Sequence, residues 1–419
     1  MLRFTDNIIV QMTRNCNMKC KYCYEGQDHN KVIQHIDHEH FKELLDTAIY
    51  YRCVLGRIEN PIHVHFHGGE VLTIPWDELK KDIEYLQARK MYFPNLDWCL
   101  QSNGLNITED IAKYFAQRGI SFSISYDGRH STGRMSKEAT EKFVQKLRFF
   151  NKEYGLRYAA ISVITTENIK YWVDDMREVE DICDSVGINV ICPPDGQEDL
   201  VPSYESQWYD LWEPVLKTFL KENPLRERDT LTSFGNFLGS KLFGDKNHAK
   251  TGCFNKLCGH GANMTAITPD FKLHPCDKYL TDGKYADLIN KTTLLENDFL
   301  GLQQINRYLD FYEEMFSIFE EKGCSTCPAK NICPGECQAF NISKYGQPKI
   351  DDGNCFVYKN IYQFYESHWA EMLTHYNFSL QQHVEVDDVL PSALNELEKS
   401  NLKLIYTPYN KSITATIKE

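Results

Sequence analysis

The sequence predicts an α/β protein, a partial (β/α)6 barrel followed by a cysteine-rich region. Up to about residue 245, apolar β-rich runs alternate with helical patterns. Several of these runs are almost continuously apolar, which is typical of parallel strands that are covered on both faces. From about residue 246 to 376 the alternation stops, and Cys, Gly and Pro punctuate short segments. These observations predict a parallel sheet first and a differently built region after it.

Six strand candidates are followed in turn by six helical patterns. The predicted strands are residues 8–12, 62–66, 98–102, 121–125, 158–164 and 188–191. The predicted helices are residues 38–51, 76–92, 109–117, 137–153, 171–185 and 204–220. Such strand–helix units in a row favour a sheet that curls into a barrel or partial barrel, whose reactive residues follow the carboxyl ends of the strands.

The predicted domains are residues 1–245 for the barrel, 246–376 for the cysteine-rich region and 377–419 for a tail. The cysteine-rich region has little periodic apolar sequence, so we expect bound metal to supply part of its stability. The tail predicts a helix over 388–400 and a β-hairpin over 402–417. Because the chain begins close to its first strand, we expect no leader-recognition domain, and we hypothesise that the hairpin edge binds a leader peptide instead.

Composition restricts the possible partners and the compartment. The formal charge is −13, from 59 acidic and 46 basic side chains, whereas nucleic-acid binding requires a basic surface. The sequence shows neither a signal peptide nor an apolar run long enough to span a bilayer. We therefore expect a cytoplasmic protein with no nucleic-acid and no membrane partner. In that compartment the 15 cysteines stay reduced, which favours metal binding.

The first cysteine group follows the first predicted strand. Cys16, Cys20 and Cys23 could bind three irons of a [4Fe–4S] cluster and leave the fourth iron open, unlike ferredoxins, which use four cysteines. A zinc loop is the alternative, although zinc sites usually have C-x2-C pairs and four protein ligands.

This C-x3-C-x2-C loop, with Tyr22 before its last cysteine, resembles the radical S-adenosylmethionine (SAM) superfamily. Further motifs of that family follow at successive strand ends. The matching residues are Gly68, Gly69 and Glu70 at the second strand, Ser102 and Asn103 at the third, Ser125 and Asp127 at the fourth, and Val163 and Ile164 at the fifth. Each motif alone is also a common turn or core sequence; their order along the chain carries the resemblance.

The resemblance implies a TIM-like partial barrel that binds SAM and one [4Fe–4S] cluster. Glu70 and its glycines would bind the methionine amino group, and Asp127 the ribose and carboxylate. An apolar side chain at Val163 or Ile164 would pack on adenine. Arg134 is the candidate for the methionine carboxylate, and the alternative is a solvated surface arginine. Reductive cleavage of SAM would give a 5′-deoxyadenosyl radical that abstracts hydrogen from a substrate.

The later cysteines match the SPASM extension of this superfamily, which typically holds two auxiliary [4Fe–4S] clusters, for three in all. The resemblance assigns the first auxiliary cluster to Cys253, Cys258, Cys276 and Cys337, and the second to Cys324, Cys327, Cys333 and Cys355. Zinc knuckles are the alternative, because C-x2-C pairs commonly form them.

SPASM enzymes mostly modify ribosomally made peptides or proteins, and give thioether links, carbon crosslinks or oxidised residues. Asp277, after Cys276, resembles the general base of the sulfatase-maturing branch, and a turn cap is the alternative. Tyr24 and Glu25 would line the substrate pocket. The predicted partners are a precursor peptide or protein and a flavodoxin or ferredoxin that donates electrons.

Three other functions remain open at this stage. The first is formylglycine formation in a sulfatase, which the short stretch after Asp127 and the unusual tail disfavour. The second is an iron–sulfur electron carrier or redox sensor, in which the SAM motifs would have no purpose. The third is an enzyme that acts on a small molecule such as an aminoglycoside.

Overall fold

The computed structural model describes residues 7–24, 35–54, 61–120, 122–191, 198–222, 228–243, 264–270, 273–274, 276–279, 317–375, 402–407 and 412–417. Glu25, Cys253 and Cys258 and the predicted helix at 388–400 lie outside these residues. In the part described, none of the helices combines the length and apolar character that a membrane crossing requires.

Strands and helices alternate through the first half of the chain. The strands are β1 (Asn7–Thr13), β2 (Ile62–Gly68), β3 (Leu96–Ser102), β4 (Phe122–Ser125), β5 (Tyr158–Ile164) and β6 (Cys183–Val190). The helices between them are α1 (His38–Val54), α2 (Trp76–Tyr92), α3 (Glu109–Arg118), α4 (Lys137–Tyr154) and α5 (Trp172–Arg177). The predicted alternation of strand and helix is confirmed.

These six strands are parallel and lie in the sheet in their order along the chain. On its other side, β1 pairs in parallel with β7 (Met264–Ile267), which pairs with the antiparallel β8 (Leu273–His274). The described sheet is therefore open, because its two edge strands, β6 and β8, do not pair. The strands β7 and β8 were not predicted; they come from the region assigned to the cysteine-rich domain.

Strand β2 has one apolar side and one polar side. Along β2, Ile62, Val64 and Phe66 are buried, and Phe66 packs edge-on against Phe41 of α1. The alternate residues of β2 are histidines that point to the opposite face. Because the strands are parallel, their carboxyl ends lie along one edge, and the sequence motifs follow those ends.

Helix boundaries follow local capping chemistry. Thr108 and Ser136 accept hydrogen bonds from backbone N–H groups in the first turns of α3 and α4, as N-cap side chains do. Gly119 and Gly155 end the same helices in the left-handed conformation, which glycine adopts without strain.

The prediction of a helix over residues 171–185 is wrong at its carboxyl end. The α-helix stops at Arg177, and β6 already begins at Cys183. Since β6 lies at the edge of the sheet, it tolerates polar residues such as Asp184, and these conceal the strand in the sequence.

The chain divides into two compact units. The first comprises Met1–Pro202, Gly259–Ile318 and Cys337–Lys349, and within it α9 (Gln338–Tyr345) follows Cys337. The second comprises Ser203–Cys258, Phe319–Glu336 and Ile350–Glu419. The predicted domain boundaries therefore remain predictions, and the compact units interleave along the chain.

The second unit is helical. Its helices are α6 (Tyr204–Ser206), a π-helical segment (Gln207–Trp212), α7 (Glu213–Glu222), α8 (Arg228–Phe243) and α10 (Asp352–His375). Aromatic packing joins α8 to α10, with the rings of Phe234 and Phe237 each 5.4 Å from that of Tyr365. Strands β9 (Leu402–Thr407) and β10 (Ser412–Ile417) pair antiparallel, as the predicted hairpin requires.

Candidate active site

The first three cysteines lie together in the loop after β1, which we call the cysteine loop (residues 14–24). Cys20 is buried in a cluster with Met18 and Tyr22, and Cys16 and Cys23 pack against the same cluster. The backbone N–H of Cys23 donates to the carbonyl of Cys20 at 3.2 Å, which folds the loop back on itself. Burial raises the pKa of the Cys20 thiol. The fold thus brings all three predicted ligands together.

The donor set of the loop consists of three thiols that pack in one cluster. In an iron–sulfur cluster each thiolate binds its own iron, so three thiols suit a [4Fe–4S] cluster that leaves one iron open. Structural zinc sites usually have four protein ligands, and a zinc loop stays the alternative.

The glycine pair after β2 allows close contact with the cysteine loop. Gly68 has φ 131°, and a Cβ there would overlap the carbonyl oxygen of Thr13; at Gly69 it would overlap that of Asn15. The backbone N–H groups of Gly69 and Glu70 donate to those two carbonyls at 2.8 and 2.7 Å. The glycines are thus needed where the two segments meet.

Glu70 is buried at this junction, with 2% of its surface exposed. Its Oε1 accepts hydrogen bonds from the Leu72 N–H (2.9 Å) and Ser102 Oγ (2.6 Å). Its Oε2 accepts from the Asn103 N–H at 2.6 Å. Burial raises the pKa of Glu70, and these hydrogen bonds partly offset the rise. A carboxylate has about four acceptor sites, so one remains for a further donor.

The third strand end connects Glu70 to the cysteine loop. Asn103 donates from Nδ2 to Asn17 Oδ1 at 2.7 Å, and its Oδ1 accepts from the Leu105 N–H. Ser102 Oγ also accepts from the N–H of Gly104 at 2.9 Å. Both predicted residues are therefore tied to the loop or to Glu70 by direct hydrogen bonds.

The fourth strand end carries a buried charge pair. Asp127 Oδ2 accepts from Arg134 Nε at 2.8 Å and from the Tyr22 hydroxyl. The Arg134 side chain is only 11% exposed, so the alternative of a solvated surface arginine is wrong. Its guanidinium also lies over the Tyr22 ring, 5.7 Å from the centroid. Asp127, Arg134 and Tyr22 form one network beside Cys20.

The fifth strand end adds an apolar wall. The Val163 N–H donates to Asp127 Oδ1 at 2.7 Å, and its side chain packs against the cysteine cluster. Ile164 is fully buried and, as the next residue in the strand, points to the opposite face. Ser125, the last residue of β4, is buried as well.

A second polar group lies after the cysteine loop, around Asp277. The Tyr24 hydroxyl donates to Asp277 Oδ2 at 3.0 Å. Lys278 Nζ lies 3.6 Å from the same oxygen and 3.4 Å from the Tyr24 ring centroid. The His67 ring stacks on Tyr24, with centroids 6.5 Å apart. Glu25, predicted to line the substrate pocket, lies outside the described residues.

The charges of this group keep Asp277 ionised. Burial alone would raise its pKa, but Lys278, His67 and the Tyr24 hydrogen bond outweigh burial and lower it. Burial lowers the pKa of His67, and the nearby Asp277 carboxylate opposes that fall because it stabilises a protonated imidazole. The group therefore presents a carboxylate that can accept a proton next to the cysteine loop.

His67 was not identified from the sequence. It is the last side chain of β2 before the glycine pair, and no described protein atom hydrogen-bonds its buried Nδ1. The available signal was its place in the strand, two residues after His65 and therefore on the same face. Glu167 and Asn168, described below, were also missed, because nothing local distinguishes them from an ordinary turn.

The first auxiliary cysteine set is described only in part. Cys276 is buried against Ile342 and Ala339 of α9, and Cys337 is the residue that precedes that helix. The structure thus brings the segments of Cys276 and Cys337 together. Cys253 and Cys258 lie outside the described residues.

The second auxiliary set is described completely. Burial raises the pKa of Cys333 to about 12, and electrostatic interaction with Cys355, Cys324 and Cys327 adds to the rise. Burial also raises the pKa of Cys324 and of Cys355, and neighbouring thiols of this set add to both. The four thiols are therefore within interaction range of one another. An assembly of mutually repelling thiolates is stabilised by bound metal.

Comparison with known proteins agrees with this geometry. Residues 10–179 match the family model of the radical SAM superfamily. The serine-type anaerobic sulfatase-maturating enzyme of Bacteroides thetaiotaomicron is 23% identical over 377 residues, which cover 84% of this chain and 86% of that protein.

Two solved structures show the same fold. Native anSMEcpe with bound AdoMet and Cp18Cys peptide aligns with a TM-score of 0.64 at 19% identity, over 88% of this chain and 97% of the other. Streptococcus suis SuiB bound to precursor peptide SuiA aligns with a TM-score of 0.58 at 13% identity, over 84% of this chain and 76% of the other. The fold is a radical SAM partial barrel with a SPASM-type carboxyl-terminal region. Residues 10–179 therefore form a radical SAM domain, and this domain together with the enzyme-named relatives supports a radical SAM enzyme.

Proposed function

We propose that this enzyme abstracts hydrogen from an amino-acid residue of a ribosomally made peptide or protein and gives a thioether link, a carbon crosslink or an oxidised residue. The observation that carries the proposal is the Asp277 group, a proton acceptor that is hydrogen-bonded to Tyr24, the last residue of the cysteine loop. Relatives on two branches also have names or bound peptides that point to protein substrates. An electron carrier would need neither Asp277 nor the SAM motifs.

On the cofactor side, Cys16, Cys20 and Cys23 hold the cluster. Glu70 uses its remaining acceptor site for the methionine amino group, and Arg134 and Asp127 bind the methionine carboxylate and the ribose. Tyr22 keeps the Asp127–Arg134 pair against the loop, and Val163, on the loop side of β5, packs on adenine. When bound, the cluster and SAM supply a 5′-deoxyadenosyl radical. The chain's own residues orient SAM and exclude water from it.

On the substrate side, Asp277 accepts the proton that the substrate residue releases as it is oxidised. Lys278 and the Tyr24 hydroxyl hold the carboxylate in its charged form and fix its direction. Tyr24 and His67 form a wall of the pocket. Glu25 lines the same pocket in this proposal.

The later cysteines would hold auxiliary clusters, which would supply an acceptor for the electron that the substrate releases. Support for two such clusters comes from the gathered thiols of Cys324, Cys327, Cys333 and Cys355 and from the proximity of Cys276 to the helix that Cys337 precedes. Cys253 and Cys258 complete the first set in this proposal. A flavodoxin or ferredoxin in the cytoplasm supplies the first electron.

A second candidate is formylglycine formation in a sulfatase. The Tyr24–Asp277 hydrogen bond favours it, because oxidation of a serine or cysteine side chain needs a proton acceptor at that position. The two candidates differ in substrate and product, and they share the cofactor chemistry.

The test uses anaerobically reconstituted enzyme with SAM and dithionite. We would add peptides encoded near the gene and, separately, sulfatase-derived peptides that carry Ser or Cys, and analyse both by mass spectrometry with an aldehyde reagent. A crosslinked product that is two hydrogens lighter and unreactive toward the reagent supports the first candidate. An aldehyde product supports the second. If SAM is cleaved and no peptide of either set changes, the proposed substrate class is wrong.

A further inference from the structure

The turn after β5 holds the backbone of Asp127. Asn168 is fully buried, and its Nδ2 donates to the carbonyls of Asp127 (3.0 Å) and Val163 (2.9 Å). Its Oδ1 accepts from the Thr165 N–H at 2.8 Å. One side chain amide thus ties the end of β4 to the end of β5.

The neighbouring residue, Glu167, holds the segment that leads into Arg134. The Glu167 carboxylate accepts from the backbone N–H of Thr132 at 2.9 Å and of Gly133 at 3.1 Å. It also accepts from the Thr132 hydroxyl at 3.0 Å. Three donors on a half-buried carboxylate fix the backbone directly before Arg134, since hydrogen bonds to a charged group are the stronger ones.

The same segment is attached to the cysteine loop. The Lys21 N–H donates to the Gly133 carbonyl at 2.9 Å, and a Cβ at Gly133 would lie 2.9 Å from the Tyr22 ring. Lys21 Nζ also lies 3.6 Å from Glu167 Oε1. Glu167 and Asn168 therefore contact, directly or through one residue, Asp127, Arg134 and the cysteine loop.

We propose that Glu167 and Asn168 are positioning residues for SAM: together they hold the Asp127–Arg134 pair in register with the cysteine loop. The inference rests on the roles proposed above for Asp127 and Arg134. It extends them to two residues that belong neither to the predicted cysteine ligands nor to the predicted SAM contacts.

The backbone hydrogen bonds of Glu167 carry this role, and its ion pair does not. The Lys21 side chain is 53% exposed, and exposed ion pairs contribute little. Glu167→Ala removes the backbone contacts, whereas Lys21→Met removes only the charge pair. Lys170→Ala, an exposed position in the same turn, is the matched control.

The experiment measures SAM affinity of reconstituted enzyme by equilibrium dialysis, together with iron content and the electron paramagnetic resonance spectrum of the reduced cluster with and without SAM. For Glu167→Ala we expect roughly tenfold weaker SAM binding or more, since about two or three hydrogen bonds to a charge are lost. Its SAM-induced spectral change should be altered, with iron content and the SAM-free spectrum unchanged. Glu167→Gln keeps one acceptor oxygen, and its SAM affinity should lie between those of wild type and Glu167→Ala. Lys21→Met and Lys170→Ala should stay within about twofold of wild type.

Unchanged SAM affinity in a fully loaded Glu167→Ala enzyme would overturn the inference. So would a loss of affinity that only parallels lost iron, because that would indicate a role in folding. Asn168→Asp, which replaces the donor facing two carbonyl oxygens by an acceptor, supplies a second variant. Arg134→Gln separates the two proposals. If Arg134→Gln also leaves SAM affinity unchanged, the proposed role of Arg134 fails. If Arg134→Gln weakens SAM binding while Glu167→Ala does not, only the inference about Glu167 and Asn168 fails.

Discussion

Two carboxylates flank the cysteine loop and are held in different ways. Glu70 is surrounded by neutral donors, and burial raises its pKa. Asp277 faces a lysine, a histidine and a tyrosine, and its pKa is lowered. Environments that differ this much are typical of a binding group and a proton-accepting group within one site.

At the residue scale, Asp277→Asn tests the separation of these roles. The variant keeps the shape and the Tyr24 hydrogen bond but cannot accept a proton. We expect SAM cleavage to persist and the yield of modified peptide per 5′-deoxyadenosine to fall by about a hundredfold or more, the usual contribution of a general base. Asp110→Asn, exposed on α3, should behave as wild type. A modified-peptide yield unaffected by Asp277→Asn contradicts the assignment.

Most side chains of the site were identifiable from the sequence, and the exceptions have a physical cause. Cys16, Glu70 and Asp127 belong to short motifs that follow strands, and the spacing within each motif can be read directly from the sequence. His67 and Glu167 are recognisable only by partners in loops that follow other strands, Tyr24 in one case and Thr132 in the other. Contacts of that kind depend on the order of strands in the sheet, which no local pattern encodes.

At the scale of elements, the contact of β2 with the cysteine loop depends on two missing side chains. Gly69→Ala should push the loop away from β2, because the added Cβ overlaps the Asn15 carbonyl. We expect reconstituted Gly69→Ala to lose the SAM-binding cluster, about four irons per chain. Gly187→Ala is the matched control, since its Cβ would meet nothing closer than 3.9 Å. Full iron loading of Gly69→Ala would refute this account of the glycine pair.

The packing of α1 on α2 predicts a pH dependence. Asp82 is buried on α2, 2.7 Å from His38 Nδ1, and burial raises its pKa from 3.8 to about 6. Between about pH 4 and 6 the folded state therefore binds a proton that the unfolded chain releases. The contribution of Asp82 to stability falls as the pH rises through this window, by up to about 3 kcal/mol for two units.

Asp82→Asn removes this titration. The unfolding temperature of the variant minus that of wild type should be larger at about pH 7.5, above this window, than at about pH 4.5. Thermal unfolding followed by circular dichroism at both pH values measures the difference, and Asp77→Asn, exposed on the same helix, is the control. If the difference in unfolding temperature between wild type and Asp82→Asn is the same at both pH values, the pKa of Asp82 is not raised.

Elements with a strong periodicity of apolar residues were predictable, and short elements or elements at the sheet edge were not. The bounds of α2 agree with the prediction, because seventeen residues of amphipathic sequence follow Pro75. Strand β7 is only four residues long and lies in a segment rich in Cys and Gly, where pairing with β1 stabilises it. That strand forms because of its tertiary pairing with β1 and not because of the local β-propensity of its residues.

At the scale of the whole molecule, the two compact units interleave along the chain. The predicted ligands Cys276 and Cys337 belong to the first unit, and Cys324, Cys327, Cys333 and Cys355 to the second. The sequence indicated a cysteine-rich region but assigned it to one continuous domain. If these cysteines are the ligands, metal binding would be coupled to the folding of segments that are distant in sequence.

Iron and sulfide content after anaerobic reconstitution tests the central claim most directly. Wild type would be compared with a variant in which Cys16, Cys20 and Cys23 are all changed to Ala, and with Cys183→Ala, a buried cysteine outside the predicted ligand sets. Three [4Fe–4S] clusters predict about twelve irons in wild type and in the control, and about eight in the triple variant. Wild-type enzyme that holds zinc, or only about four irons, would contradict the assignment of a radical SAM enzyme with two auxiliary clusters.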